Sequence, residues 1–419
     1  MPLFLYTLVV GVVLTIVYAA AAIPWVLLAL DQRGQIAAFF RRAFSNPLRI
    51  ALYAREAGVI AGPLVLTVLL VVGIPLILVC AFFSADPTTS ETSGMLYGAA
   101  LQLQLIADLF IVGFPLLMKV WPKGGAVAYA AFVEGVKQPL FWVLFAFGLL
   151  ALIISPLVPY FTFGEDLVMV KDLGFDTLML AAALFGTIAA SQSISEEIEG
   201  RTAITVMSKP VSRRQFLLGK FLGILLASLL LFALLSWFFE GVLLGKAWLD
   251  RLDPKPIPVW LTSSLSWANL PDQTTDLLRG LGLWVDHTLD VLPGLVMTFS
   301  EVTVLIAVAV ALATRTTMVV NLVTVLAIYF LANVTPVLVS IGHDAKVNSP
   351  GPVAELLSFT AGLFDMLLPD FDAFRIGPAL VTDAALPAPY ILSVTFYGVL
   401  YTLIVLLFGL ILFEDKDLA

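Results

Sequence analysis

The chain has 419 residues, 60% of them hydrophobic and 12% charged, with a formal net charge of −8. A soluble domain carries about 25% charged residues, so most of this surface does not face water and a soluble enzyme is excluded. No basic face emerges, so nucleic acid is not an expected partner. The lone cysteine, Cys80, cannot form an intrachain disulfide. His287 and His343 fall in separate polar stretches between apolar runs, read as solvated loops, and no metal site is expected.

About 20 apolar residues cross a bilayer, and nine stretches of the sequence qualify: about 3–30, 58–83, 95–118, 139–160, 175–195, 215–245, 291–313, 317–341 and 389–413. The first lacks a preceding Lys or Arg and is about twice as long as a signal h-region. It reads as a retained transmembrane helix, with cleavage near the alanines at 19–22 as the alternative. Residues 31–57 are basic with near-helical apolar spacing. They are expected to lie on the membrane surface, or else to serve as a plain basic linker. Pro75 and Pro115 interrupt the second and third spans, and residues 121–138 form a second interfacial segment flanked by Trp121 and Trp142. Two stretches, 246–290 and 342–388, are rich in Pro and Asp and read as long outer loops holding short amphipathic pieces, such as 352–368. Asn321 and Asn333 in the eighth span are suited to interhelical hydrogen bonds.

The loops alternate in charge. One set holds 15 of the 22 Lys and Arg residues, among them Arg41, Arg42, Lys123, Arg213 and Arg315; the other holds 7. By the positive-inside rule the first set is cytoplasmic. The expectation is an all-α polytopic membrane protein of about nine spans, with the N-terminus outside and the C-terminus cytoplasmic.

Residues 193–220, SISEEIEGRTAITVMSKPVSRRQFLLGK, concentrate eight charges between the fifth and sixth spans. Glu196, Glu197 and Glu199 close one helix and Gly200 breaks it. Residues 201–208 suit a short helix, which Pro210 ends. Ser212 and Gln215 form a capping-box pair at the start of the next span. Arg213 and Arg214 then sit in its first turn, against the helix dipole. The pattern is a compact knuckle at the membrane surface.

This stretch resembles the signature of ABC transporter permeases of the type-2, exporter-like superfamily. The residues that carry the likeness are Glu196, Glu197, Glu199, Gly200, Arg201, Thr202, Pro210, Val211, Ser212, Arg213, Gly219 and Lys220. The likeness extends over residues 125–413 and implies a six-helix permease core at the C-terminal side, within 121–419. It makes 121–138 the amphipathic segment that leads into the core and 196–214 a coupling loop. Residues 1–120, with three spans, then form an N-terminal membrane extension. The resemblance also implies that Glu196, Glu197, Glu199, Gly200, Arg201, Thr202, Pro210, Ser212, Arg213, Arg214 and Lys220 couple the chain to a separate nucleotide-binding ATPase subunit. A second permease chain, the same or related, would complete the pathway in a bacterial cytoplasmic membrane, and export is the implied direction.

No GxxxxGK[ST] run occurs, so this chain is not expected to be an enzyme or to hold a cofactor. ATP and Mg belong on the partner subunit. Acidic residues within spans are candidates for a pathway: Asp108, Glu301 and Glu240, the last near Trp237 and Lys246 at the outer end of the sixth span. For Asp108 the alternative is an interhelical hydrogen bond; for Glu301 it is placement at an outer helix end. Two other functions compete: a secondary transporter driven by an ion gradient through Asp108 or Glu301, and a non-transporting permease-like scaffold.

Overall fold

The computed structural model describes residues 2–24, 87–158, 166–195, 212–249, 258–268, 270–348, 351–375, 377 and 386–414. Among them every regular element is helical. In chain order these are α1 (Pro2–Ala21), α2 (Pro87–Val120), α3 (Pro122–Lys137), α4 (Pro139–Ile154), α5 (Asp166–Ala190), α6 (Arg213–Leu249), α7 (Val259–Ala268), α8 (Asp272–Ala313), α9 (Met318–Asn348), α10 (Pro352–Leu367) and α11 (Ala388–Glu414). Seven helical stretches are long and apolar enough to cross a membrane: α2, α4, α5, α6, α8, α9 and α11, α4 and α5 being counted with the turns that follow them. They match seven of the nine expected spans. Within the first expected span, 3–30, the described residues form α1, which is not among those seven. The second span, 58–83, and the surface segment 31–57 lie outside the described residues.

The chain forms two compact units: Met1–Leu116 with Asp253–Asp290, and Leu117–Leu252 with Val291–Ala419. In the first unit, α2 packs on α1 and on the stretch 272–290 of α8. Tyr97 Oη donates to the Leu14 carbonyl at 2.7 Å, and Gln104 Nε2 donates to the Ala21 carbonyl at 3.1 Å. On its other side, α2 approaches α8 at two glycines. A Cβ on Gly94 would strike the Leu277 carbonyl, and one on Gly280 would strike the Glu91 carbonyl. Trp284 Nε1 adds a 2.9 Å hydrogen bond to Gln102 Oε1.

This packing corrects the expected outer loop at 246–290. Its described parts are helical: the end of α6, α7 and the first half of α8. Leu277, Leu281 and Trp284 recur at helical spacing and face α2. That periodicity was the available signal, masked by Asp272, Asp276, Arg279, Asp286 and Asp290 on the other faces. The expected loop 342–388 is likewise helical at 342–348 and over α10, which folds back along α9 with the Ser358 backbone against Gly342. His287 and His343 therefore sit within α8 and α9 rather than in loops.

The second unit is built around α5 and α8. The most apolar windows of both are 67% buried within the protein, against 17% for α9 and 28% for α11. A helix apolar all round belongs in the interior, and small residues let others approach it. Aromatic rings fill the remaining space. Phe141 meets Phe185 edge-on at 5.4 Å, and Phe175 meets Phe239 edge-on at the same separation. Such pairs contribute about 0.5–1.5 kcal/mol beyond their buried area. Pro115 stays inside α2 without ending it, as membrane helices tolerate when neighbours satisfy the freed carbonyl.

Candidate functional site

Two regions of the second unit bring the chemistry together. The first is the base of the knuckle. Residues 196–211 lie outside the described residues, and with them Glu196, Glu197, Glu199, Gly200, Arg201, Thr202 and Pro210. Both flanks are described, and both are fastened.

On the incoming side, α5 ends in a π turn, Ser191–Ser195. Its serines each bond outward, to different parts of the fold. Asn321 Nδ2 donates to Ser191 Oγ and to the Ala309 carbonyl, both at 2.9 Å. Ser195 Oγ lies 3.2 Å from the Ala313 carbonyl and 3.0 Å from that of Thr316, at the turn between α8 and α9. Lys220 Nζ on α6 donates to Ser193 Oγ at 2.7 Å and approaches Glu134 Oε2 of α3 at 3.4 Å. Asn321 is thus an interhelical tie, as expected. Glu134 and the three serines were not singled out by sequence reasoning. The run SQSIS reads as an ordinary polar helix end, because only the π turn distributes successive hydroxyls among different neighbours.

On the outgoing side the capping box forms as expected. The Ser212 N–H donates to Gln215 Oε1 at 3.2 Å, and the Gln215 N–H donates to Ser212 Oγ at 3.3 Å. Arg213 and Arg214 do not simply oppose the dipole of their own helix. Arg213 Nη1 donates to the Phe413 and Glu414 carbonyls at 3.2 and 2.9 Å, and Arg214 Nε meets Glu414 Oε1 at 2.9 Å. Arg315 Nε donates to the Leu412 carbonyl at 2.8 Å. The negative end of the α11 dipole therefore receives these cations.

Gly219 and Lys220, part of the signature, point inward. Lys220 is only 5% exposed. A Cβ on Gly219 would press on Val127 and the Gly124 carbonyl of α3, and one on Gly223 on the Ala128 carbonyl. This pair holds the amphipathic α3 against α6 rather than facing outward.

The second region lies toward the opposite end of the second unit. Glu301 is 7% exposed and stands well inside the 42-residue α8. The helix-end alternative for it does not hold, because α8 begins at Asp272 and not near 291. Asp176 of α5 and Arg375, on the connector after α10, both interact electrostatically with Glu301. Arg375 Nη2 donates to Asn333 Oδ1 of α9 at 2.7 Å. Glu240, in the last third of α6, is fully buried. In the first unit, Asp108 Oδ1 accepts a 3.0 Å hydrogen bond from Gln104 Nε2, which also reaches the Ala21 carbonyl of α1. Its side chain thus contributes to a polar tie between helices.

Long apolar helices around a buried helical core, with polar ties gathered at one end, define a polytopic integral membrane protein. Residues 62–269 match the family model described as ABC-2 family transporter protein. Over that stretch, just under half of its length, the chain carries an ABC-2 family transporter domain. The match takes in the knuckle and α2 to α7, and starts at residue 62 rather than at the lead-in segment 121–138. Comparisons with curated proteins and with solved structures return no match.

Proposed function

We propose that this protein is the membrane subunit of an ATP-driven exporter in a bacterial cytoplasmic membrane, and that the segment 196–214 is its coupling loop. A separate nucleotide-binding subunit, carrying ATP and Mg, would engage that segment. A second permease chain, identical or related, would complete the pathway. The orientation follows the charge alternation, with the end bearing Arg213 and Arg315 cytoplasmic.

One observation carries this reading: both flanks of the segment are tied into the helices that surround it. Ser193 and Ser195 fasten its start to α3, α6 and the α8–α9 turn, and Arg213 and Arg214 fasten its end to α11. A push on a segment held this way is delivered to the bundle as a whole and not lost in a loose loop. Rigid-body tilting of packed helices is a usual route between two states. Charges in the segment itself suit orientation and rate of docking more than raw affinity.

The test is a gentle detergent pull-down of the tagged chain, assayed for ATP hydrolysis with and without vanadate. A stoichiometric ATPase subunit is expected. Gly200→Pro or Glu197→Lys should leave insertion intact while hydrolysis no longer responds to the membrane subunit. Arg213 is a poor probe, since its loss would also uncap α11. A chain that stays without a partner and without hydrolysis under the mildest extraction overturns the proposal.

A further inference from the structure

The connector that follows α10, residues 368–375, has a feature that coupling does not use. Apart from one tight turn at Asp372–Phe374 it is not helical, yet hydrogen bonds hold it at membrane depth. Tyr401 Oη donates to the Leu367 carbonyl at 3.1 Å, and the Asp370 N–H donates to Tyr397 Oη at 2.9 Å. Tyr401 lies half-way along α11, and Tyr397 lies one turn before it. On α9, the Phe371 ring stands 5.8 Å from that of Tyr329, and Arg375 Nη2 donates to Asn333 Oδ1 at 2.7 Å. Asn333 lies half-way along α9. Both helices are long and apolar enough to cross a membrane, so the connector dips far in from their outer ends.

Its side chains sort by chemistry. Pro369, Phe371 and Phe374 are buried, whereas Asp370, Asp372 and Arg375, which alternate with them, are exposed. Asp365 on the last turn of α10 is exposed as well. The apolar side chains fasten the connector to the bundle and leave a row of charges on its free face.

Lipid does not suit that face. Non-helical backbone occurs at membrane depth where protein buries it or where it lines a water-filled cavity. Charged side chains inside a membrane likewise face the bundle interior or water. A second protein chain suits it no better, because docking would strip water from charges of both signs, and the cores of interfaces are depleted of charged residues. The inner ends of the neighbouring helices are closed. A Cβ on Gly409 of α11 would press on Ala311 of α8, and Phe413 stacks on Phe216 at 6.0 Å.

We propose that the charged face of this connector lines a water-filled vestibule that opens at the outer surface and reaches about half-way through the membrane. Asp365, Asp370, Asp372 and Arg375 are its lining charges. The inference deepens the transporter reading and rests on it in one respect, that the vestibule is the outer part of the pathway.

The test does not need the ATPase. In a Cys80→Ser background, Asp372→Cys and Asp365→Cys are labelled with a membrane-impermeant sulfonated maleimide in right-side-out vesicles. Phe396→Cys is the reference, since Phe396 is exposed on α11 beside Tyr397 but stands on its apolar surface. Maleimide reacts with the thiolate, which forms in water and not in lipid, so both aspartate variants should react on the order of ten-fold faster than Phe396→Cys. Labelling after denaturation normalises the thiol content, and a monodisperse size-exclusion profile excludes misfolding. Rates equal to that of Phe396→Cys overturn the proposal, as does labelling confined to inverted vesicles. Protection in vesicles that disappears in purified monomer would also overturn it, because a second chain and not water would then cover this face. A failed labelling leaves the ATPase pull-down untouched, and a failed pull-down leaves the labelling result standing.

Discussion

At the scale of single residues, the tie between Lys220 and Glu134 is unequal. The Lys220 side chain is 6% exposed and that of Glu134 is 47% exposed. Removing the lysine leaves a carboxylate that water can reach. Removing the carboxylate leaves an ammonium inside the bundle with less compensation, and uncompensated buried charges are the costly ones. Glu134→Gln should therefore destabilise the protein by ~2–3 kcal/mol and Lys220→Met by no more than ~1 kcal/mol. Thermal unfolding in a fixed detergent would order the two variants, and the double variant should lie near Lys220→Met. The reverse order would mean that Ser193, not Glu134, is the partner that matters to Lys220. Asn321 poses a milder case. Its Nδ2 bonds both Ser191 and Ala309, yet its Oδ1 is buried without a partner. Hydrogen bonds between membrane helices average ~0.6 kcal/mol, so Asn321→Ala should cost about 1 kcal/mol in the same unfolding assay.

At the scale of helices, α6 offers a comparison within one element. Gly219 and Gly223 are pressed against α3, whereas among the described residues nothing lies within 4 Å of a Cβ placed on Gly241 or Gly245. Glycine costs a helix interior about 1 kcal/mol relative to alanine. Gly241→Ala should accordingly stabilise the purified chain by several tenths of a kcal/mol, up to ~1 kcal/mol. Gly223→Ala should destabilise it, because the Ala128 carbonyl would have to move. Melting curves of the two variants check both signs. The sequence makes α6 legible as a span, because its apolar run is long and unbroken. It does not reveal which of its glycines carry a neighbour, since that depends on α3, some 90 residues earlier in the chain. The same limit explains α8. Hydropathy finds only residues 291–313, because the preceding turns are amphipathic and spend their apolar face on α2. A window tuned to continuous apolarity passes over such a helix. The capping box at Ser212 was legible because it is wholly local. Glu301 was legible as an oddity of charge, but its neighbours Asp176, Tyr329 and Arg375 come from three other segments and could not be placed beforehand.

At the scale of the whole molecule, the charge alternation makes a topological claim. Ser195, Arg213, Arg315 and Glu414 converge at one end of the second unit, and the positive-inside rule makes that end cytoplasmic. In a Cys80→Ser background, Thr316→Cys should resist a membrane-impermeant maleimide in intact cells and react in inverted vesicles. Asp344→Cys, beyond the other end of the apolar part of α9, should show the opposite pattern. Labelling of both from one side would refute the alternation.

The arginines on the end of α11 also bear on how the chain is made. Arg213 lies 200 residues before the Phe413 carbonyl it bonds, and Arg315 lies 97 before that of Leu412. During synthesis both guanidiniums must wait until α11 has left the ribosome and inserted. Until then the ends of α6 and α8 carry cations with no helix terminus to receive them. Closure of the bundle is thereby linked to arrival of its last described helix, so a nascent chain stalled before Leu412 would present those unsatisfied arginines to the proteases that survey membrane proteins.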